Sequence, residues 1–217
     1  LFGAGSVLFG VSLARLGIAI TNALVSGVLV LCGSIGPILI GAVHIDFDLF
    51  LWLLFGLFLL VTSLILCAGA SVQRDHDHQA PSAEAASKGH PVGAVLLALA
   101  AGILSSMINI GFVYGARLAQ NARMDGSPPV LASIAIWIPA LLGGLIFNVG
   151  YPAYLISQRS SWALFFSGRP SLSCWFRSSF MGILWFGAIL LYGYGASIMG
   201  GAGTVYGWAL MTSVSIL

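Results

Sequence analysis

Long apolar runs separated by short polar breaks set the pattern of this chain. Continuous apolar stretches cover residues 1–14, 17–43, 49–71, 92–115, 129–156, 181–199 and 201–217. Most approach the roughly 20 residues that carry an α-helix across a hydrocarbon core about 30 Å thick. None has the apolar-polar alternation over about ten positions that marks the strands of a membrane barrel. The pattern predicts an all-α polytopic membrane protein with seven transmembrane segments, the first and last incomplete. The chain opens at LFGAGSVLFG without Met or a charged leader flank and closes inside GWALMTSVSIL, so the expectation is an internal fragment of a longer polytopic protein.

Composition sharpens the class. Hydrophobic residues make up 59% of the 217-residue chain and charged residues 6%, with a mean hydropathy of +1.03. A soluble domain carries about 25% charge, so a soluble enzyme or regulatory domain is excluded. The net charge of +2 is spread over short breaks, which leaves no patch for nucleic acid. The expected partners are the lipid bilayer and a small molecule. Cys32 and Cys67 fall in apolar runs and Cys174 stands alone in an expected loop, so neither a disulfide framework nor a CxxC site is read. If the segments alternate in direction, Arg15, Arg74, Lys88, Arg159, Arg169 and Arg177 share one side against Arg117 and Arg123 on the other. The positive-inside rule assigns the first group to the cytoplasm and Asp46 and Asp48 to the outside.

Residues 72–91, VQRDHDHQAPSAEAASKGHP, form the one long polar stretch. Their Ala, Ser, Pro and charge content reads as a flexible linker between residues 1–71 and 92–217. Asp75, His76, Asp77, His78 and His90 alternate acid and imidazole there, but without fixed spacing they read as solvated charge, and no metal site is expected. A short repeat supports two halves: Phe9-Gly10 and Leu16-Gly17 recur as Tyr192-Gly193 and Met199-Gly200 at a constant offset of 183 residues. Transporters are commonly built from such repeated halves around a midplane site.

Polar groups inside apolar runs are the candidates for function. Ser105, Ser106 and Asn109 share one helical face, and an amide at that depth needs partners, either on a neighbouring helix or on a substrate. Gly111 and Gly115 form a GxxxG pair that reads as a packing seam. Asn148 lies in a run that also holds Trp137, Pro139, Gly143, Gly144, Tyr151 and Pro152, a composition that predicts a kinked helix. Asn22, Ser26, Gly33 and Pro37 keep near one face and form a candidate cavity wall. Trp185 and Tyr192, seven residues apart, nearly superpose; they suit either stacking on a sugar ring or core packing, while Trp208 reads as part of an interfacial aromatic belt. No Asp, Glu or Lys lies deep in an apolar run, and no catalytic constellation or phosphate loop is present. An enzyme is not expected, nor a cofactor.

The stretches LFGAGSVLFGVSLARLGIAITNALVSGVL, SSMINIGFVYGARLAQNA and MGILWFGAILLYGYGASIMGGAGTVYGW resemble the L-rhamnose/proton symporter family of the drug/metabolite transporter superfamily. The resemblance covers nearly the whole chain. It implies a ten-helix fold of two inverted five-helix repeats in a bacterial inner membrane, with this chain running from the third helix into the ninth. It further implies import of a deoxyhexose by proton symport through alternating access, with Asn109, Asn148, Trp185, Tyr192, Ser105 and Asn22 as candidate sugar contacts. The proton carrier would lie in helices outside this sequence, or be a boundary residue such as Asp46. The alternatives are another sugar or metabolite transporter of the superfamily, or a non-transporting membrane sensor or assembly subunit. The orientation has a direct check: with Cys32 and Cys67 replaced by Ser, Cys174 should resist a membrane-impermeant maleimide in intact cells and react after permeabilisation. Labelling in intact cells would reverse the assignment.

Overall fold

The computed structural model describes residues 1–77, 91–166 and 169–216. All regular structure among them is helical: α1 (Phe2–Leu16), α2 (Ile18–Leu39), α3 (Phe47–Asp77), α4 (Pro91–Tyr114), α5 (Ala116–Met124), α6 (Pro129–Gln158), α7 (Trp162–Phe166), α8 (Arg169–Ile198) and α9 (Gly203–Ile216), with a 3-10 turn at Gly200–Ala202 before the last. Five stretches are long and apolar enough to cross a bilayer: Ile18–Leu39, Phe47–Ala70, Val92–Met124, Leu131–Gln158 and Leu172–Ile198. α1 and α9, of 15 and 14 residues, are shorter.

The boundaries depart from the hydropathy pattern in three places. α8 begins at Arg169 instead of residue 181, which puts Cys174 and Arg177 on a helix and not in a loop. Pro170 falls in the first turn, where a proline costs no hydrogen bond, and no Gly or Pro follows until Gly182, so polarity alone does not stop the helix. α3 continues through Asp77, six residues into the expected linker; residues 78–90 of that linker, with His78 and His90, lie outside the described residues. After a break at Gly115 the chain resumes as α5, a short helix of mixed polarity that hydropathy passed over. α6 runs unbroken through Pro139 and Pro152.

α4 is the central helix, packed along α1 and α2 and touching α6 and α9. Its sequence explains the position. Ala98 and Ala101 are fully buried and Ala94 nearly so. A Cβ added at Gly102 would stand 2.7 Å from Val28 Cβ, and one at Gly5 of α1 would stand 2.6 Å from Ser105 Oγ. Lipid tails are as apolar as Leu, so helices gain little by merely hiding apolar surface from them; close approach of backbones over small residues supplies the attraction instead. The large side chains face outward: Trp52, Phe55 and Phe58 of α3, Ile146 of α6 and Ile183 and Leu191 of α8 are all exposed, as lipid contact favours. Only half of the GxxxG pair acts as a seam. Gly115 abuts Ile136 of α6, whereas Gly111 faces open space.

The residues matched by the internal repeat share a backbone feature. α1 stops at Gly17 with φ of 80°, and α8 stops before Gly200 with φ of 73°. Both are left-handed positions that a side chain would strain, and each is followed by a new helix. The two helices preceding these glycines run in opposite directions. Gly3 of α1 packs on Gly144 of α6, while Arg15 reaches the cavity beside Arg159, so α1 runs along α6. α8 runs against it, with Trp185 stacked on Phe2, which packs at Gly144, and Gly193 beside Ser133.

The α1–α4–α2 seam makes a stability prediction. Gly102→Leu should destabilise the purified protein by about 1–3 kcal/mol, the usual effect of overpacking, measured as a lower thermal midpoint in detergent. Gly56→Leu, where an added Cβ meets nothing within 4 Å, should leave the midpoint unchanged; equal losses in both would contradict the packing account.

Candidate functional site

Asn109 sits on the α4 face that meets the other helices and is fully buried. Its amide nitrogen donates to the Gly33 carbonyl of α2 at 2.8 Å and to the Thr204 carbonyl of α9 at 3.2 Å. Its amide oxygen accepts from the Tyr192 hydroxyl of α8. That hydroxyl also lies 3.1 Å from the Thr204 carbonyl. A phenol has one proton, so Tyr192 donates to one acceptor at a time. One amide and one phenol thus join α2, α4, α8 and α9, and both donors of the amide are used.

Aromatic rings surround this knot. Phe112 stacks on Trp137 at 5.0 Å and leans on Tyr192 at 5.3 Å. Trp208 meets Tyr192 edge-on at 5.7 Å. Trp208 also lies against Gly33, where any Cβ would collide with its indole, and its Nε1 donates to the Leu29 carbonyl at 3.3 Å. Its burial, at 3% exposure, corrects the reading of Trp208 as belt: Gly33 opens a slot that draws the ring into the bundle, and a backbone carbonyl satisfies its polar edge.

Two cavities flank the aromatic layer. One, of about 310 Å³, is lined by Phe112, Ser133, Ile136, Gly193, Ala196, Ser197 and Thr204, with Gln120 and Arg123 of α5 also on its wall. The other, of about 630 Å³, is overwhelmingly apolar and is lined by Trp137, Trp185, Ile189, Tyr192, Ala196, Met199 and Trp208, with hydroxyls at Ser26, Thr212 and Ser215, and it opens sideways past the exposed Leu191, Leu210 and Val214. Ala196 borders both. Around these cavities two buried polar atoms have no partner: Trp137 Nε1 and Thr204 Oγ1. An unpaired buried donor or hydroxyl costs about 1–3 kcal/mol, so each is poised to gain from a ligand that pairs it. The hydroxyls of Ser12, Thr21 and Ser34 are also unpartnered, but none lines either cavity.

The candidates read from sequence divide accordingly. Asn109 and Tyr192 are brought into direct contact, and Ser105 lies one turn away against Gly5. Trp185 stacks on Phe2 at 6.3 Å and shares the larger cavity with Tyr192. Asn148 is elsewhere, in a third cavity between α1 and α6. Asn22 lies exposed on α2, accepting from the Ser26 hydroxyl at 3.4 Å, and of the expected α2 wall only Ser26 lines one of the two central cavities, beside Leu29, which the sequence did not single out. Sequence reasoning did not single out Phe112 or Thr204, and noticed Trp137 only as part of a kinked run. The isolated Trp in IAIWIPALLGG, two residues before Pro139, was the available signal.

No protein-family model, curated protein or solved structure matches the chain.

The Asn109–Tyr192 bond predicts energetic coupling. In a double-mutant cycle of Asn109→Leu and Tyr192→Phe, unfolding in detergent or bicelles should give a coupling energy of about 1 kcal/mol, within the range of hydrogen bonds inside membranes. Additive effects would mean that the two groups stabilise the bundle independently.

Proposed function

We propose that this protein is a secondary active transporter of the L-rhamnose/proton symporter type, importing a deoxyhexose across a bacterial inner membrane by alternating access. The observation that carries the reading is the aromatic layer itself: it separates two cavities, and the polar atoms it leaves unpaired, Trp137 Nε1 and Thr204 Oγ1, lie around them. A polyhydroxylated solute supplies acceptors and donors for such groups, while its ring faces and methyl group suit Phe112, Trp137 and Tyr192. Asn109 and Tyr192 then act as a latch and not as standing sugar contacts, because in this conformation they satisfy each other. Solute contact falls first to Trp137, Thr204 and Ser133, with Trp185 at the wall of the larger cavity.

The helix arrangement supports the finer architecture, seven membrane segments of a ten-helix fold with inverted repeats. α1–Gly17–α2 and α8–Gly200–α9 are matched in sequence, share a left-handed glycine at the joint, and have first helices of opposite direction. Opposite direction is what an inverted repeat requires. Repeat-matched Gly10 and Gly193 also line cavities near opposite ends of α6. Proton coupling rests on the sequence resemblance.

The test is uptake of radiolabelled L-rhamnose by the full-length protein in proteoliposomes. Accumulation should depend on an inward proton gradient and vanish with a protonophore. Trp137→Phe and Thr204→Val should each raise the half-saturating sugar concentration about fivefold to tenfold, the loss of one hydrogen bond of about 1 kcal/mol or slightly more. Ser34→Ala, whose buried hydroxyl lines neither cavity, should transport normally. Absence of uptake would remove the rhamnose assignment.

A further inference from the structure

The third cavity, of about 520 Å³, is built unlike the other two. Only α1, α6 and the residue capping α6 line it. Most of its α6 wall is exposed, so it is a groove open sideways, toward the lipid. Arg15, in the last turn of α1, and Arg159, the C-cap of α6, both line it, and no carboxylate does. Among the described residues no ion pair engages either guanidinium. A helix C-terminus attracts a cation by itself, which accounts for each arginine singly. The positive-inside rule accounts for their lying at one end of the helices; lining one groove that holds no carboxylate, their fields add there and favour an anion. At the other end of α6, Arg117 and Arg123 line separate cavities.

The rest of the groove continues away from the charges. Asn148 and Tyr151 add polar atoms, and beyond them Val7, Val11 and Phe147 form an apolar wall along α1 and α6. Gly10 lies in that wall, and a Cβ built on it would meet nothing within 4 Å. A headgroup-sized polar pole that passes into an apolar channel at membrane depth matches an amphiphile, not a free ion. Basic pockets between membrane helices hold anionic headgroups by this combination of charge and wall.

We propose that the α1–α6 groove is a binding site for an anionic phospholipid, with its phosphate between Arg15 and Arg159 and an acyl chain along the Gly10 wall. The site is separate from the cavities around Tyr192 and does not depend on the transport reading. The experiment is native mass spectrometry of the purified full-length protein with phosphatidylglycerol, with phosphatidylcholine and with inorganic phosphate. Wild type should retain phosphatidylglycerol in preference to phosphatidylcholine. Arg15→Gln with Arg159→Gln should lower that preference about thirtyfold, the combined effect of two basic groups near an anionic surface. Gly10→Phe, which enters open space and keeps both arginines, should remove the bound lipid while leaving the thermal midpoint intact, so the test survives if the double variant fails to fold. Equal retention of both lipids by wild type, or a preference unchanged in either variant, would overturn the proposal. Displacement of phosphatidylglycerol by millimolar inorganic phosphate would identify a soluble anion as the occupant and overturn the lipid assignment.

Discussion

A buried amide in a bilayer cannot turn to water, and the middle of this bundle is organised around that fact. Asn109 needs three partners, and it finds them on α2, α8 and α9. Two are main-chain carbonyls, which helices ordinarily keep for themselves; the Gly33 carbonyl is free because its helical donor position is Pro37, which has no N–H, and Thr204 offers a second lone pair. With water absent, the alternative to these bonds is an unsatisfied polar group in hydrocarbon. The position of α4 relative to three other helices is therefore fixed by one side chain to within hydrogen-bond tolerance.

An Asn side chain is short, so that reach is possible only where backbones come close. Ala98, Ala101 and Gly102 on α4 and Gly5 on α1 keep the central helix tight against its neighbours. Gly33 serves twice, giving its carbonyl to Asn109 and its bare Cα surface to the Trp208 indole. The aromatic layer follows from the same geometry. Tyr192 must put its hydroxyl on Asn109, and once it does, Phe112, Trp137 and Trp208 fill the space around its ring. The packing that satisfies Asn109 leaves Trp137 Nε1 and Thr204 Oγ1 without partners, so polar saturation of the knot and polar vacancy beside it arise together.

The helical class was readable because a residue's transfer free energy into lipid is a local property: each apolar run became a helix. Helix ends were less readable, since hydropathy measures preference for lipid and not for helix. RPSLSCWFRSS is more polar than the rest of α8 yet, past the Pro170 of the first turn, contains nothing that stops the helix. Asn109 and Tyr192 could be picked out as polar groups at depth, but their contact joins residues 83 apart in sequence, and spacing along one helix says nothing about which neighbour it faces. Thr204 was invisible for a different reason. Its carbonyl accepts from the knot, and every residue type carries that group. Trp208 was misread because a Trp, apolar in its ring and polar at its edge, suits an interface as well as a core; only the slot at Gly33 decides.

The left-handed glycines at the ends of α1 and α8 divide what the chain can vary from what it must keep. At Gly17 and Gly200 the change of helix direction is written into φ and ψ, without any side chain taking part. Apart from Gly200 and its neighbour Met199, the residues that line the two central cavities lie elsewhere on the helices, so their size and polarity can drift while the angles at these joints stay put. A lineage carrying this architecture can thus retune what fits inside by ordinary point substitution, whereas exchange of either glycine for a side-chain-bearing residue alters the frame on which every such adjustment depends.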